Sequence, residues 1–163
     1  MSKFLLGIAI VAFTSFCGYI LTKKYRKRKL FFTQMYEFNE RFLGELSYYR
    51  RPIGDFLGKY AYKGEFQDFL VYYFQNIENP TFFNEKMDTT DFSFFTKDEK
   101  AVLRDYFPMI GKGNSTTQKA YFSTAKETLK KLKENAEKDA KKYGDLYIKL
   151  GFLCGLFILI LIV

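Results

Sequence analysis

Histidine and tryptophan are absent from this 163-residue chain, and it has only two cysteines and three prolines. Without histidine, Ser-His-Asp machinery, imidazole acid–base work and the usual zinc sites are removed together. Cys17 and Cys154 each fall inside an apolar run, which argues against a disulfide framework and for use as small buried apolar groups. Period-two alternation is missing over any useful length, so no strand is predicted. Charge is missing over two stretches, from Phe4 to Leu21 and again from Leu150 onward.

Those two stretches organise the rest. As a helix the first spans roughly 28 Å, close to the hydrocarbon thickness of a bilayer. A cleaved signal peptide carries its positive charge before the apolar run and a small-residue cleavage site after it. Here Lys3 is the only charge in front, while Lys23, Lys24, Arg26, Lys27, Arg28 and Lys29 follow. That order is expected of an uncleaved anchor whose C-terminal side faces the cytoplasm. The second run is shorter, roughly 21 Å, but apolar all round, and Lys149 and Tyr147 can extend it by snorkelling to the interface. Lys138, Lys141, Lys142 and Lys149 lie on its inner flank. Two spans with the middle of the chain in the cytoplasm of a cell membrane are therefore expected. Gly151 and Gly155 form a small-xxx-small pair, with Gly7, Ser15 and Gly18 in the other run; direct packing of the two spans is one of two open readings.

The chain carries 26 Lys and Arg against 18 Asp and Glu, a net charge of +8. Nucleic acid is the first partner such a balance suggests. The crowding of six basic residues directly behind an apolar run points instead to anionic lipid headgroups, with Lys142 and Lys149 marking the same level on the second run.

The middle of the chain is helical in pattern, and the predicted fold is all-α. Phe31, Met35, Phe38, Phe42, Leu46 and Tyr49 recur every three or four residues, and Arg51-Pro52 ends that helix. Ile53, Phe56, Leu57 and Tyr60 begin a short second helix that closes near Gly64. Phe66, Phe69, Leu70, Tyr73, Phe74 and Ile77 give a third, stopped by Asn79-Pro80. Residues 81–95 are ambiguous. Thr96 with Glu99 is a capping box opening a helix through Leu103, Tyr106 and Phe107. Ser115 with Gln118 looks like a second box, opening a very long last helix. Its stripe is Ala120, Phe122, Ala125, Leu129, Leu132, Ala136, Ala140, Tyr143, Leu146, Tyr147 and Leu150, with Gly144 as a weak point that is either a joint or a hinge. The predicted organisation is an anchor over 1–22, a cytoplasmic bundle of five to six helices over 23–148, and a transmembrane segment over 149–163 continuous with the last bundle helix. The 20 phenylalanines and 13 tyrosines fall mostly on apolar faces, so they are read as core and not as base-stacking platforms.

Chemistry is hard to find. Gly111-Lys112-Gly113-Asn114-Ser115 lacks the spacing of a P-loop and follows no strand, so it reads as a turn. Asp98/Glu99 and Glu134/Glu137 lie on solvated helix faces with no metal-ligand spacing around them. No cofactor, no metal and no catalysis are expected.

Two stretches carry a resemblance to a known family. Glu45-Leu46-Ser47-Tyr48-Tyr49-Arg50-Arg51-Pro52-Ile53-Gly54-Asp55-Phe56-Leu57 resembles the first-corner signature of the stage III sporulation protein AB family. Lys142-Tyr143-Gly144-Asp145-Leu146-Tyr147, followed by Lys149-Leu150-Gly151 and an apolar tail, resembles that family's ending. Gly54 and Phe56 stand where the family usually has small residues and a second proline. The resemblance implies a component of the mother-cell side of the sporulation channel, in the membrane around the forespore. It implies a helical domain similar to the F-type platform proteins of type II secretion and type IV pilus machines. Its implied partners are a separate secretion-type ATPase and channel components, in an oligomeric assembly. Glu45, Tyr48, Pro52, Ile53, Asp55 and Leu57 would form the corner, with Glu45, Tyr48, Pro52 and Asp55 as candidate partner contacts. Two other classes stand beside this reading: a membrane-anchored adaptor that recruits soluble partners, and an enzyme acting on lipid or peptidoglycan precursors. The last lacks any charged side chain in either run.

Overall fold

The computed structural model describes residues 2–48, 60–76, 85, 87–89, 92–110, 112 and 114–162. The described residues are helical or irregular, with no strand among them. Among the described residues four α-helices follow in order: α1 (Ser2–Tyr48), α2 (Gly64–Gln75), α3 (Lys97–Tyr106) and α4 (Ser115–Ile162), with a 3₁₀ turn at Phe107–Met109. The first apolar run and the first amphipathic stripe are therefore one helix of 47 residues. The helix predicted from Ile53 to near Gly64 lies largely outside the described residues, and its described part, residues 60–63, is not helical. The chain divides into two compact units, one made of Met1–Lys29 with Asn135–Val163 and the other of Leu30–Glu134. Each is taken by itself.

The Leu30–Glu134 unit is a small aromatic bundle. Phe31, Phe32, Met35 and Phe38 of α1 are all buried, as the three-four spacing predicts. The Phe31 ring meets Phe66, Phe69 and Phe95 edge-on, with centroids 5.1, 5.7 and 4.7 Å away. Edge-to-face pairs of this kind add about 0.5–1.5 kcal/mol beyond area burial. Met87, Phe92 and Phe95, from the stretch with no clear sequence pattern, are buried in this same core.

Polar ties set how the helices meet. The amide nitrogen of Gln34 donates to the Lys63 carbonyl (2.8 Å), and the Lys63 N–H donates back to Gln34 Oε1 (2.6 Å). Gln34 thus stands in for a peptide group and pins the start of α2 to α1. Tyr106 donates to Asn39 Oδ1 (3.0 Å), and Asn39 Nδ2 donates to the Phe122 carbonyl (3.1 Å), which joins α1, α3 and α4 through one buried side chain. Tyr73 donates to the Phe107 carbonyl at 2.7 Å, satisfying an acceptor in the 3₁₀ turn. Burial pushes the Tyr73 phenol up to about 12 and holds Tyr106 well above its ordinary range. A raised folded-state value favours the neutral phenol, so this contribution is complete below the unfolded value of 10.0 and is lost as pH climbs through the folded values. The bundle is expected to be insensitive to these two groups up to about pH 10 and to lose stability above it, the Tyr73 contribution going between about pH 10 and 12. Phenolate absorbance followed beside circular dichroism checks this: full phenolate formation must wait for unfolding.

The helix ends are partly as predicted. Thr96 Oγ1 accepts from the Glu99 N–H (3.2 Å) and Glu99 Oε2 accepts from the Thr96 N–H (2.9 Å), a complete capping box. The second box is corrected: α4 is capped by Asn114, whose Oδ1 accepts from the Thr117 N–H at 2.8 Å. Asn and Ser cap about equally well, and the carbonyl oxygen one residue upstream reaches the third amide. Gly64, read as the close of a preceding helix, is the first residue of α2 and has φ of 58°. A Cβ there would sit 3.6 Å from Leu30 Cδ2, ordinary contact, so the glycine is required by conformation and not by space. Gly64→Ala is expected to cost about 1–2 kcal/mol, read as a lower midpoint in chemical unfolding.

In the other unit, α4 is long and apolar enough to cross a membrane; its best window has mean hydropathy 1.9 and only 11 % of it is buried. A core helix of a soluble protein would hide such a window. The predicted α4 stripe needs correction in its lower half. Past an exposed Ala120 at its start, Phe122, Leu129 and Ala136 are buried at seven-residue spacing, but further along Leu146 is exposed and Leu150 is 45 % exposed. Beyond Tyr143 the row facing α1 steps by four, through Tyr147, Gly151 and Gly155. Where residues are apolar all round, hydrophobicity no longer marks the inner face; residue size does.

Candidate functional site

The unit formed by Met1–Lys29 and Asn135–Val163 holds most of the residues singled out by sequence. Its α1 and α4 segments run antiparallel in a register that can be read from contacts. Gly7 meets Leu159, Gly155 meets Val11 and Thr14, Gly151 meets Thr14, and Gly18 meets Tyr147 and Gly151. Further along, Tyr25 stacks on Tyr143 (4.8 Å) and Tyr147 (6.1 Å), and Arg28 pairs with Asp139.

The glycines permit this closeness. A Cβ at Gly151 would stand 2.6 Å from the Thr14 carbonyl oxygen, and one at Gly18 would stand 2.5 Å from the Tyr147 carbonyl oxygen. Both obstacles are backbone, which cannot rotate away. Gly155 lies against Val11 Cα and the Thr14 hydroxyl. The polar groups along this seam are satisfied within α1: Thr14 Oγ1 donates to the Ile10 and Val11 carbonyls, Ser15 to Val11, and Thr22 to Tyr19. Gly144, the suspected joint or hinge, sits within an unbroken helix, and a Cβ there meets no described atom within 4 Å. Close approach happens one to three turns further along α4. Cys17 and Cys154 are corrected from buried to exposed. Each neighbours a packing glycine, and one residue turns the side chain about 100° around the helix, away from the seam.

The basic residues divide into two groups. Arg28 is half-buried, and its guanidinium donates to Asp139 Oδ2 at 2.6 Å, so it serves the helix pair. Lys23, Lys24, Arg26, Lys27 and Lys29 are exposed, as are Lys138, Lys141, Lys142 and Lys149. Three of these cations lie over tyrosine rings: Lys24 on Tyr25 (4.9 Å), Arg26 on Tyr19 (5.0 Å) and Lys142 on Tyr143 (5.3 Å). The Arg28–Asp139 pair was not visible in the sequence. Its partners are 111 residues apart, and Arg28 looked like any member of a basic run.

In the bundle, the predicted corner is not brought together among the described residues. Glu45 is 6 % exposed on α1. Tyr48 ends α1 and its side chain is not described; Pro52, Ile53, Asp55 and Leu57 lie outside the described residues. Sequence reasoning missed an open groove of about 240 Å³ between α3 and α4, lined by Val102, Asp105, Tyr121, Ala125, Thr128 and Leu129. It also missed a cleft where the Arg104 guanidinium clasps both Asp88 oxygens at 2.8 and 2.9 Å beside Lys97 and Lys100. The i, i+3, i+7 spacing of Lys97, Lys100 and Arg104 was the available signal.

Comparison with known proteins gives one match. The model of the family described as stage III sporulation protein AB matches residues 3–163, a range that includes both resembling stretches and both apolar runs. No curated protein and no solved structure matches the chain.

Proposed function

We propose, from the premise that this chain belongs to the stage III sporulation protein AB family, that it is a non-catalytic platform subunit of the sporulation channel complex. In this reading it crosses the mother-cell membrane twice, keeps its aromatic bundle in the cytoplasm, and works beside a separate secretion-type ATPase. The observation that carries the membrane part is where the large exposed apolar side chains lie. Ile8, Phe13, Phe16, Ile20 and Leu21 of α1 and Phe152, Leu153, Phe157, Ile160 and Leu161 of α4 are all open, on the paired segments of one unit. Among the described residues of the bundle only Leu30 and Val71 are so placed. Contiguous apolar surface on two antiparallel helices, each with backbone groups satisfied internally, suits hydrocarbon and not water. The platform role and the ATPase partner rest on the resemblance of the two signature stretches.

Two measurements test this. Cysteines introduced singly between residues 60 and 110 should react with membrane-impermeant maleimide only after the membrane is opened; labelling of intact cells overturns the topology. The detergent-solubilised protein captured from sporulating cells should bring down a secretion-type ATPase or channel components. Absence of both overturns the platform role, and recovery of soluble proteins alone favours the adaptor.

A further inference from the structure

All of the chain's net charge belongs to the unit that carries the apolar surface. Met1–Lys29 with Asn135–Val163 holds 11 Lys and Arg against 3 Asp and Glu, while Leu30–Glu134 holds 15 of each. One of the three acids, Asp139, is already occupied by Arg28. The register set by Tyr25 on Tyr143 and Arg28 on Asp139 brings Lys23, Lys24 and Arg26 of α1 level with Lys141 and Lys142 of α4. Cations from both helices thus share one level of the pair. That level adjoins exposed Leu21 and Leu146, and Tyr19, Tyr25 and Tyr143 lie under its charges.

From this juxtaposition we infer that the two helices together form a basic collar that gathers anionic phospholipids around the protein. The inference rests on the membrane reading above and makes the headgroup attraction of the basic run a selective property of both helices together. Phosphate-bearing headgroups meet the exposed ammonium and guanidinium groups, while their acyl chains lie along the apolar side chains that begin one turn away. Tyrosine rings at this level suit the boundary, having an apolar body and a polar tip. Nucleic acid would need no adjoining apolar surface, and the neutral bundle offers it no net attraction.

The test uses the full chain reconstituted in phosphatidylcholine bilayers, with spin-labelled phosphatidylglycerol and spin-labelled phosphatidylcholine as probes. Electron paramagnetic resonance reports the motionally restricted lipid touching the protein. Phosphatidylglycerol is expected to be enriched about fivefold over phosphatidylcholine at 0.1 M salt and to lose most of that preference at 1 M, where screening shortens to about 3 Å. Replacing Lys23, Lys24, Arg26, Lys141 and Lys142 together by glutamine should abolish the preference, and replacing the four lysines by arginine should keep it. Equal contact of the two lipids with the wild-type chain at low salt overturns the collar, as does a preference that survives the glutamine set. Loss of the preference to inorganic phosphate or duplex DNA, beyond that caused by sodium chloride at equal ionic strength, also overturns it. Resistance of the protein to alkaline carbonate extraction reports membrane insertion separately, so a failed collar and a failed membrane reading are told apart.

Discussion

Phe31→Ala is expected to destabilise the bundle by about 3–5 kcal/mol, a large share of the roughly 5–15 kcal/mol that holds a typical domain together. Phe31 is 1 % exposed, and its ring touches the rings of Phe66 and Phe69 on α2 and of Phe95 before α3. Truncation removes the apolar area and also leaves a hole that flat, edge-packed neighbours cannot refill by small rotations. Chemical unfolding of the detergent-solubilised chain, followed by near-ultraviolet circular dichroism, measures the loss. Val71→Ala on the exposed face of α2 is the reference and should stay within about 0.5 kcal/mol of the native chain. A Phe31→Ala midpoint equal to that of Val71→Ala would show that the aromatic core does not hold the bundle.

Gly151→Leu should separate α1 from α4 in the apolar unit. Even the first added carbon falls 2.6 Å from the Thr14 carbonyl oxygen and 3.3 Å from Ser15 Cα, so the helices must part or slide. Overpacking by one or two carbons costs typically 1–3 kcal/mol, and the leucine branch adds to it. The native cysteines offer a direct reading, because Cys17 and Cys154 are exposed on the two helices. Spin labels on them should report a longer and broader distance distribution in Gly151→Leu. Gly144→Ala, where a Cβ meets no described atom within 4 Å, should leave the distribution unchanged. An unaltered distribution in Gly151→Leu would overturn the close packing. The contrast between the two positions also answers which glycine matters.

Much of this protein was legible because its cues are local. The Thr96–Glu99 box, the three-four recurrence of Phe31, Met35 and Phe38, and the uncharged runs each express one rule over a few residues. The cap of α4 was misread by one position because Asn114 and Ser115 are both competent caps and only hydrogen-bond geometry separates them. Glu45 is covered on α1, which a single sequence does not say of any one polar residue on a largely apolar helix. Met87 and Phe92 showed no period because they enter the core from short irregular segments.

Composition and periodicity by themselves determined the helical class, the basic run beside the first apolar stretch, and the aromatic character of the core. These depend on spacing along the chain, which the backbone period converts directly into a face. Tertiary structure decided what depends on distance across the chain. Arg28 became a structural ion pair because Asp139 faces it on the other long helix. Gly18, Gly151 and Gly155 became the seam, and Cys17 and Cys154 its outside, because in a helix apolar all round only the smallest residues let two backbones touch. Gln34 and Asn39, unremarkable in the sequence, became the ties of the bundle because the groups they satisfy arrive from 29 and 83 residues away.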